Sequence, residues 1–227
     1  MAEMIHIIGT GPGDGRYTLD QARETIKRCT AFAGFRSHAL RFIPPSIPFI
    51  DLSSEGGRGI YSGLNEIERL RLEGEDEIGI LVSGDPGFHS LLPLVRSRYP
   101  QWELRIVPGL SAFQVACAKI GIPWQELELV SLHGSGGEDI ASFVRRFVSH
   151  PPSGMSGFVV LTAGPCGGRD LAERIIAEDP GYSGYKAWFC RDIGEEGESI
   201  VYCRLDAVQE GGRLCTVIIP RMEKESV

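Results

Sequence analysis

Three short segments of the chain combine glycine and proline with a polar side chain, and each directly follows a run of apolar residues. They are GTGPGD at residues 9–14, SGDP at 83–86 and PGLSAF at 108–113. Glycine lets backbone amides come close to a bound molecule, and proline stiffens the approach. Asp85 would add a carboxylate that accepts hydrogen bonds from hydroxyl or amine groups, and Ser111 would add a donor. The pattern predicts a ligand site built from loops.

The same loops also have structural interpretations. Asp85 would cap a helix that begins at Phe88, with Pro86 in its first turn, and Ser111 would cap the next helix. The first loop only approximates the dinucleotide-binding pattern G-x-G-x-x-G, because Asp14 stands at the third glycine position and would bring negative charge near a pyrophosphate. The sequence has no G-x-x-x-x-G-K-[ST] phosphate loop. Nicotinamide and flavin binding are therefore disfavoured.

An alternation of strands and helices must place these loops. Apolar runs that predict strands are MIHII, TAFAGF, PFIDL, EIGILVS and WELRIVP, and helical patterns such as GIYSGLNEIERLRLEG and FHSLLPLVRSRYP lie between some of them. This alternation predicts a parallel sheet covered on both faces. In open parallel sheets, ligands bind beyond the carboxyl ends of the strands, which is where all three loops fall.

The segment GIPWQE marks the expected boundary between two domains. Beyond it, LELVSLHG and FVVLTAG predict strands with helices after them, and three strand-like runs separated by turn signals follow Pro180. Such runs predict an antiparallel portion in a mixed sheet. We expect two α/β domains in series, residues 1–123 with the glycine-rich loops and residues 124–227 with the mixed sheet.

The composition excludes several classes of protein. The 227 residues are 42% hydrophobic and 23% charged, which is ordinary for a folded protein. A net charge of −7 disfavours non-specific nucleic-acid binding. No secretory leader and no apolar run of about 18 residues is evident. The six cysteines show no C-x-x-C spacing and no zinc pattern, so we expect buried thiols in a cytoplasmic protein and no metal site.

In this order and spacing, GTGPGD, SGDPGF and VPGLSAFQ resemble the tetrapyrrole (corrin/porphyrin) methylase family. The resemblance implies two α/β domains with S-adenosylmethionine (SAM) bound in the cleft between them. Within the family, LVSLHG, VLTAGPCGGRDLAERI and CRDIGEEGESI resemble the cobalt-precorrin-7 or precorrin-6Y methylases, which act on carbon 5 of the corrin ring. The sequence departs from that subfamily at Ser135, where an arginine usually follows Leu-His-Gly. Two alternatives follow: the cleft lacks one carboxylate-binding guanidinium, or Arg145 or Arg146 substitutes for it.

The resemblance also implies site residues. The SAM contacts carried over by motif are Pro12, Gly84, Asp85, Phe88, Ser111 and Ala112 in the first domain and Leu161, Thr162, Cys190 and Cys215 in the second. For the second group, ordinary strand core is the competing interpretation. Candidates to bind the carboxylates of the macrocycle are Arg16, Arg36, His38 and Arg41, since guanidinium groups bind carboxylates with paired hydrogen bonds. A solvated helix face is their alternative.

Two histidines are candidate catalytic groups. His133 lies in the SLHG segment, and His89 follows Gly-Asp-Pro. Imidazole suits proton transfer near neutral pH, although each residue also has a structural interpretation. His6 alternates within a predicted strand and is expected to be structural.

The implied activity is a SAM-dependent C-methyltransferase of cobalamin biosynthesis that acts on a corrinoid or precorrin. Because the sulfonium already activates the methyl group, the protein chiefly aligns the reactants. Any cobalt would arrive with the substrate. The resemblance further implies a homodimer and a separate decarboxylating carbon-15 methyltransferase, with no nucleic-acid or membrane partner. Alternatives are diphthine synthase, an RNA ribose methylase and a non-catalytic SAM-binding sensor.

Overall fold

The computed structural model describes residues 4–53, 58–132, 139–149, 157–163, 167–209, 211 and 214–220. The chain divides into two compact units, Met1–Ser111 and Ala112–Val227, each with its own sheet. The predicted fold of two α/β units is confirmed. Within the described ranges, none of the helices combines the length and apolarity that crossing a bilayer requires.

The first unit is built on a five-stranded parallel sheet with the order β3-β2-β4-β1-β5. Its strands are β1 (Met4–Gly9), β2 (Ala31–Gly34), β3 (Phe49–Asp51), β4 (Glu77–Val82) and β5 (Leu104–Val107). Its helices are α1 (Asp20–Ile26), α2 (Arg36–Ala39), α3 (Arg58–Leu72) and α4 (Leu92–Arg98). The short helix α2 contains Arg36 and His38, for which a helix face is the alternative interpretation.

Alternation of buried residues along the strands gives this sheet a core on each face. Ile7 and Ile80 belong to one buried apolar cluster, whereas the next residues along the two strands, Ile8 and Leu81, belong to another. Successive strand residues point to opposite faces, so the near-continuous apolar runs are those of a sheet covered on both sides.

The strand order determines which loops meet. Because β1 lies between β4 and β5, the segments that follow these three strands leave the sheet side by side at its carboxyl edge. They are the three glycine-containing loops predicted from the sequence. The fold thus brings together segments that lie far apart in the chain.

The second unit is built on a mixed sheet with the order β6-β7-β10-β8-β9. Its strands are β6 (Leu127–Ser131), β7 (Gly157–Ala163), β8 (Lys186–Arg191), β9 (Ser199–Arg204) and β10 (Leu214–Ile219), and its helices are α5 (Ala112–Ile120), α6 (Ile140–Ser149) and α7 (Gly168–Glu178). Strands β6 and β7 pair in parallel, and the other neighbours pair antiparallel. The predicted antiparallel portion is confirmed.

The division between the units falls at Ser111 rather than at the expected boundary after residue 123. Helix α5 contacts β10, and Lys119 near its end forms an ion pair with Glu198. These contacts place the helix in the second unit, although it follows directly from the third loop.

Candidate functional site

The first and second loops are joined through their backbones. The Gly84 amide donates to the Gly11 carbonyl oxygen at 3.1 Å, and the Gly11 amide donates to the Gly84 carbonyl oxygen at 3.4 Å. Both residues have positive φ, +77° at Gly11 and +73° at Gly84. Glycine adopts this conformation without a steric penalty, which explains its presence at both positions.

Glycines also let the third loop touch the other two. A Cβ at Gly109 would lie 2.2 Å from the Gly84 carbonyl oxygen and 2.8 Å from the Gly9 carbonyl carbon. A Cβ at Gly9 would lie 2.7 Å from the Gly109 nitrogen. The three loops therefore pack against one another through bare backbone.

Asp85 connects the second and third loops by hydrogen bonds. Its Oδ1 accepts from the Gly87 amide at 2.8 Å, and its Oδ2 accepts from the Gly109 amide at 3.1 Å. The carboxylate keeps further lone pairs, because two oxygens offer about four acceptor sites. A direct contact between Asp85 and a ligand stays a prediction, but its observed partners are loop amides.

The predicted role of Asp85 as a helix cap is wrong. Helix α4 begins at Leu92, not at Phe88, and its N-cap residue Leu91 makes no side-chain capping bond. Residues 86–91 form turns and bends ahead of the helix, so Pro86 does not lie in its first turn. Ser111, which is buried, does directly precede α5.

Hydrogen bonds among Thr10, His38 and Thr18 support the first loop. The Thr10 hydroxyl donates to the Val82 carbonyl oxygen at 3.1 Å, and its oxygen lies 2.5 Å from His38 Nε2. A hydroxyl has one proton to donate, so His38 Nε2–H must be the donor in the second bond. Thr18 donates in turn to the Thr10 carbonyl oxygen at 2.6 Å. His38, expected to bind substrate, is engaged with the end of β1.

Two of the predicted substrate-binding arginines hold the first loop. Arg16 pairs with Asp14 at 2.8 Å, and this hydrogen-bonded guanidinium lowers the pKa of Asp14 to about 2. Arg41 donates to the Gly13 carbonyl oxygen at 3.3 Å. Both arginines are exposed at the surface, so their binding of substrate stays a prediction.

Arg36 lies beside exposed apolar side chains at the same edge. It pairs with Asp51 at 2.7 Å, and hydrogen bonds from Ser53 and Arg36 together lower the pKa of Asp51 to about 2. Phe35 is 40% exposed and Leu40 is 46% exposed, which is high for large apolar residues. Sequence reasoning missed both, although they flank the predicted cations in GFRSHALRF.

The second loop presents two aromatic rings. Phe88 and His89 contact each other edge to face, with ring centroids 4.8 Å apart. His89 is exposed and has a φ of +46°, a conformation that residues other than glycine seldom adopt. The turn therefore holds an imidazole at the surface of the loop that contains Asp85. His133, the other candidate catalytic residue, lies outside the described residues, as do Ser135 and Cys166.

The predicted SAM residues of the second unit lie in or beside its core. The Thr162 hydroxyl donates to the Cys215 carbonyl oxygen at 2.9 Å, and both residues are buried, whereas Leu161 is half-buried. Cys190 is 1% exposed. Burial raises the pKa of the Cys190 thiol to about 12 and that of Cys215 to about 11. These thiols are inert core groups, so their ligand role stays a prediction.

The carboxylate of Asp85 favours a ligand without phosphate groups at these loops. A Cβ at Gly84 would lie 3.8 Å from the Ser111 Cα and 3.9 Å from the Leu110 carbonyl oxygen, which is ordinary contact, in contrast to the overlaps at Gly9 and Gly109. Gly84 and Asp85 are half-buried and Pro12 is buried, so their contact with a ligand stays a prediction. A carboxylate disfavours a pyrophosphate and favours hydroxyl, amine or cationic groups, which SAM carries.

The chain is similar to known proteins over most of its length. Residues 4–209 match the model of the tetrapyrrole (corrin/porphyrin) methylases. A cobalt-precorrin-7 C(5)-methyltransferase from Salmonella typhimurium is 27% identical over 216 residues, which is 95% of this chain and 98% of that protein.

Two solved structures share the fold. A precorrin-6Y methylase of cobalamin biosynthesis from Archaeoglobus fulgidus superimposes with a TM-score of 0.69 at 21% identity, covering 98% of this chain and 100% of that one. A diphthine synthase superimposes with a TM-score of 0.62 at 18% identity, covering 96% and 90%. The TM-scores establish a common fold, and identities this low leave the substrate open.

Proposed function

The chain belongs to the tetrapyrrole (corrin/porphyrin) methylase family, and from that premise we propose that it is a SAM-dependent methyltransferase of cobalamin biosynthesis that methylates carbon 5 of a precorrin or cobalt-precorrin. The Salmonella relative, matched over nearly its whole length, is named for that reaction, which supports the choice of carbon. The motif resemblance in LVSLHG and CRDIGEEGESI points to the same subgroup.

We place the cofactor against the carboxyl edge of the first sheet. When bound, SAM supplies a methyl group that its sulfonium has already activated. The chain contributes a rigid surface: the backbone of Gly84 and Pro12, with the Asp85 carboxylate fixed by two loop amides. Preorganised groups lower the entropic cost of alignment, which is the main demand of this methyl transfer.

The segment after β2 has the apolar and cationic side chains that binding a macrocycle with carboxylate groups requires. Exposed Phe35 and Leu40 offer apolar surface for the ring, and Arg36 and Arg41 lie next to them in sequence with guanidinium groups at the surface. A guanidinium recognises a carboxylate with directed hydrogen bonds. Arg36 would exchange its pairing with Asp51 for one with the substrate.

A proton must leave the ring carbon after methyl addition. Among the described residues, His89 is the candidate to accept this proton, since its imidazole is held at the surface of the second loop. His133 is the second candidate, carried by the SLHG motif. The unprotonated nitrogen of a neutral imidazole offers a lone pair that can accept such a proton.

The observation that carries the proposal is that the three loops contact one another through the backbones of Gly9, Gly84 and Gly109 and through the Asp85 carboxylate. Calorimetric titration with S-adenosylhomocysteine, with NAD as a control, tests it. We expect S-adenosylhomocysteine alone to bind. Binding of NAD alone would overturn the cofactor assignment.

A second assay separates the corrinoid reaction from its alternatives. The protein is incubated with SAM and either cobalt-precorrin-7 or precorrin-6Y, and the molecular mass of the product is measured by mass spectrometry. We expect one added methyl group. Cofactor binding without methyl transfer to either corrinoid would instead favour a diphthine synthase, an RNA ribose methylase or a SAM-binding sensor.

The oligomeric state and the compartment belong to the same proposal. We propose a cytoplasmic homodimer, as the family resemblance implies. Light scattering coupled to size-exclusion chromatography should give twice the 24.8 kDa mass of one chain. A mass of one chain would contradict the dimer.

A further inference from the structure

A cluster of potential metal ligands lies near the amino ends of β1 and β4, away from the three loops. His6, Cys29 and Glu77 each offer one ligand atom, and these atoms all lie within 4.8 Å of one another. The register explains the grouping: His6 pairs with Gly79, two residues beyond Glu77, so His6 and Glu77 point to the same face. Cys29 reaches over Gly79, where a Cβ would lie 3.2 Å from its sulfur.

The hydrogen bonding of His6 is incomplete. The residue is 1% exposed, and its Nε2 contacts the Glu77 carboxylate. Its Nδ1 has no hydrogen-bond partner within the described part of the chain. The two ring nitrogens point away from each other, so a cation shared with the Glu77 carboxylate would bind Nε2, and the neutral ring would then carry its proton on Nδ1. A buried polar atom without a partner is uncommon in folded proteins, so the bond to Glu77 alone does not satisfy this ring.

We propose that His6, Cys29 and Glu77 bind a divalent transition-metal cation of the zinc type. Imidazole nitrogen, thiolate sulfur and carboxylate oxygen are the three donor types that zinc takes in proteins. Three protein ligands leave one tetrahedral position for water. On coordination the Cys29 thiol loses its proton to solvent, and the thiolate forms the bond to the metal. The His6 ring would bind through Nε2, with its proton moved from Nε2 to Nδ1.

The location gives the metal an entry path and a role. The Glu77 side chain is 38% exposed, whereas His6 and Cys29 are buried, so the cation would enter from the side of Glu77. Bound there, it would join β1, β4 and the segment that follows α1. The three residues are so far apart in sequence that no short motif could reveal them. The site is separate from the proposed methyl-transfer chemistry and would stabilise the first unit.

The test uses the full chain, reduced and stripped with a chelator, titrated with Co²⁺ as a spectroscopic probe. We expect one equivalent to bind with a thiolate-to-cobalt charge-transfer band, and Zn²⁺ to displace it. Cys29→Ala should abolish the band. Its Co²⁺ affinity should fall by more than the roughly 10–100-fold that losing an outer-shell partner costs. The matched control is Cys203→Ala, which removes a more accessible thiol and should leave the band unchanged.

Other results would overturn the proposal. Absence of Co²⁺ and Zn²⁺ binding, or a band that survives Cys29→Ala and disappears in Cys203→Ala, would mean that His6 and Glu77 are only a hydrogen-bonded pair. If Cys29→Ala does not fold by circular dichroism, Glu77→Gln is the second variant, since its side chain is partly exposed. Unchanged Co²⁺ affinity in Glu77→Gln would equally reject the site.

Discussion

Replacing Gly109 by alanine tests whether the three loops must touch through bare backbone. The added Cβ would lie 2.2 Å from the Gly84 carbonyl oxygen, and Cβ atoms essentially never come within 3.0 Å of such a neighbour. The two loops must therefore separate by about 0.8 Å, which is overpacking of a filled site. We expect the free energy of unfolding to fall by about 1–3 kcal/mol.

Cofactor binding should suffer in the same variant. The separation would lengthen the 3.1 Å bond from the Gly109 amide to Asp85 and shift the backbone that we assign to SAM. Because a misplacement of about 1 Å can cost about 10²-fold in function, we expect the affinity for S-adenosylhomocysteine to fall by about 10–100-fold.

The assay pairs calorimetric titration with urea unfolding, and Gly184→Ala is the matched control. A Cβ at Gly184 would meet nothing within 4 Å, and its φ lies outside the positive range that disfavours alanine, so this variant should behave like the parent. If Gly109→Ala binds S-adenosylhomocysteine as tightly as Gly184→Ala does, the reasoning about the loops is refuted.

Three further predictions follow from contacts in the first unit. Asp85→Asn removes one carboxylate acceptor from the loop amides, so affinity for S-adenosylhomocysteine and the free energy of unfolding should both fall, the latter by about 1–3 kcal/mol; weaker binding at unchanged stability would instead indicate direct ligand contact. Thr10→Val removes the hydroxyl oxygen that accepts from His38 Nε2, and the free energy of unfolding in urea should fall by about 1–3 kcal/mol; an unchanged midpoint would show that the bond contributes nothing. Asp51, with its pKa lowered from 3.8 to about 2, binds fewer protons folded than unfolded between those values. Its contribution to stability is present above pH 3.8 and is lost as the pH falls towards 2. Asp51→Asn should flatten that part of the stability curve in acid unfolding, and an unaltered slope would count against the pairing.

Local sequence patterns were enough to predict the strands and the position of the loops. Apolar runs such as EIGILVS end where Ser-Gly-Asp-Pro begins, and the structure places β4 at Glu77–Val82. The convergence of the loops was also predictable, because parallel strands end at one edge of their sheet. The sequence resemblance added the cofactor and the reaction, which no periodicity contains.

Contacts that depend on strand order could not be predicted in this way. Asp85 looked like a helix cap, because the sequence does not show that β5 brings the Gly109 amide to its carboxylate. His38 looked like a surface cation, because its bond to Thr10 joins residues 28 positions apart. The grouping of His6 with Glu77 depends on the same β1–β4 register.

The most direct test of the proposed function is methyl transfer from SAM labelled with ¹³C in its methyl group. The protein is incubated with cobalt-precorrin-7 or precorrin-6Y, and carbon NMR of the isolated product locates the label. We expect one labelled methyl group, attached to carbon 5 of the ring. A label on another ring carbon would contradict the proposed position, and a corrinoid without label would contradict the proposed reaction.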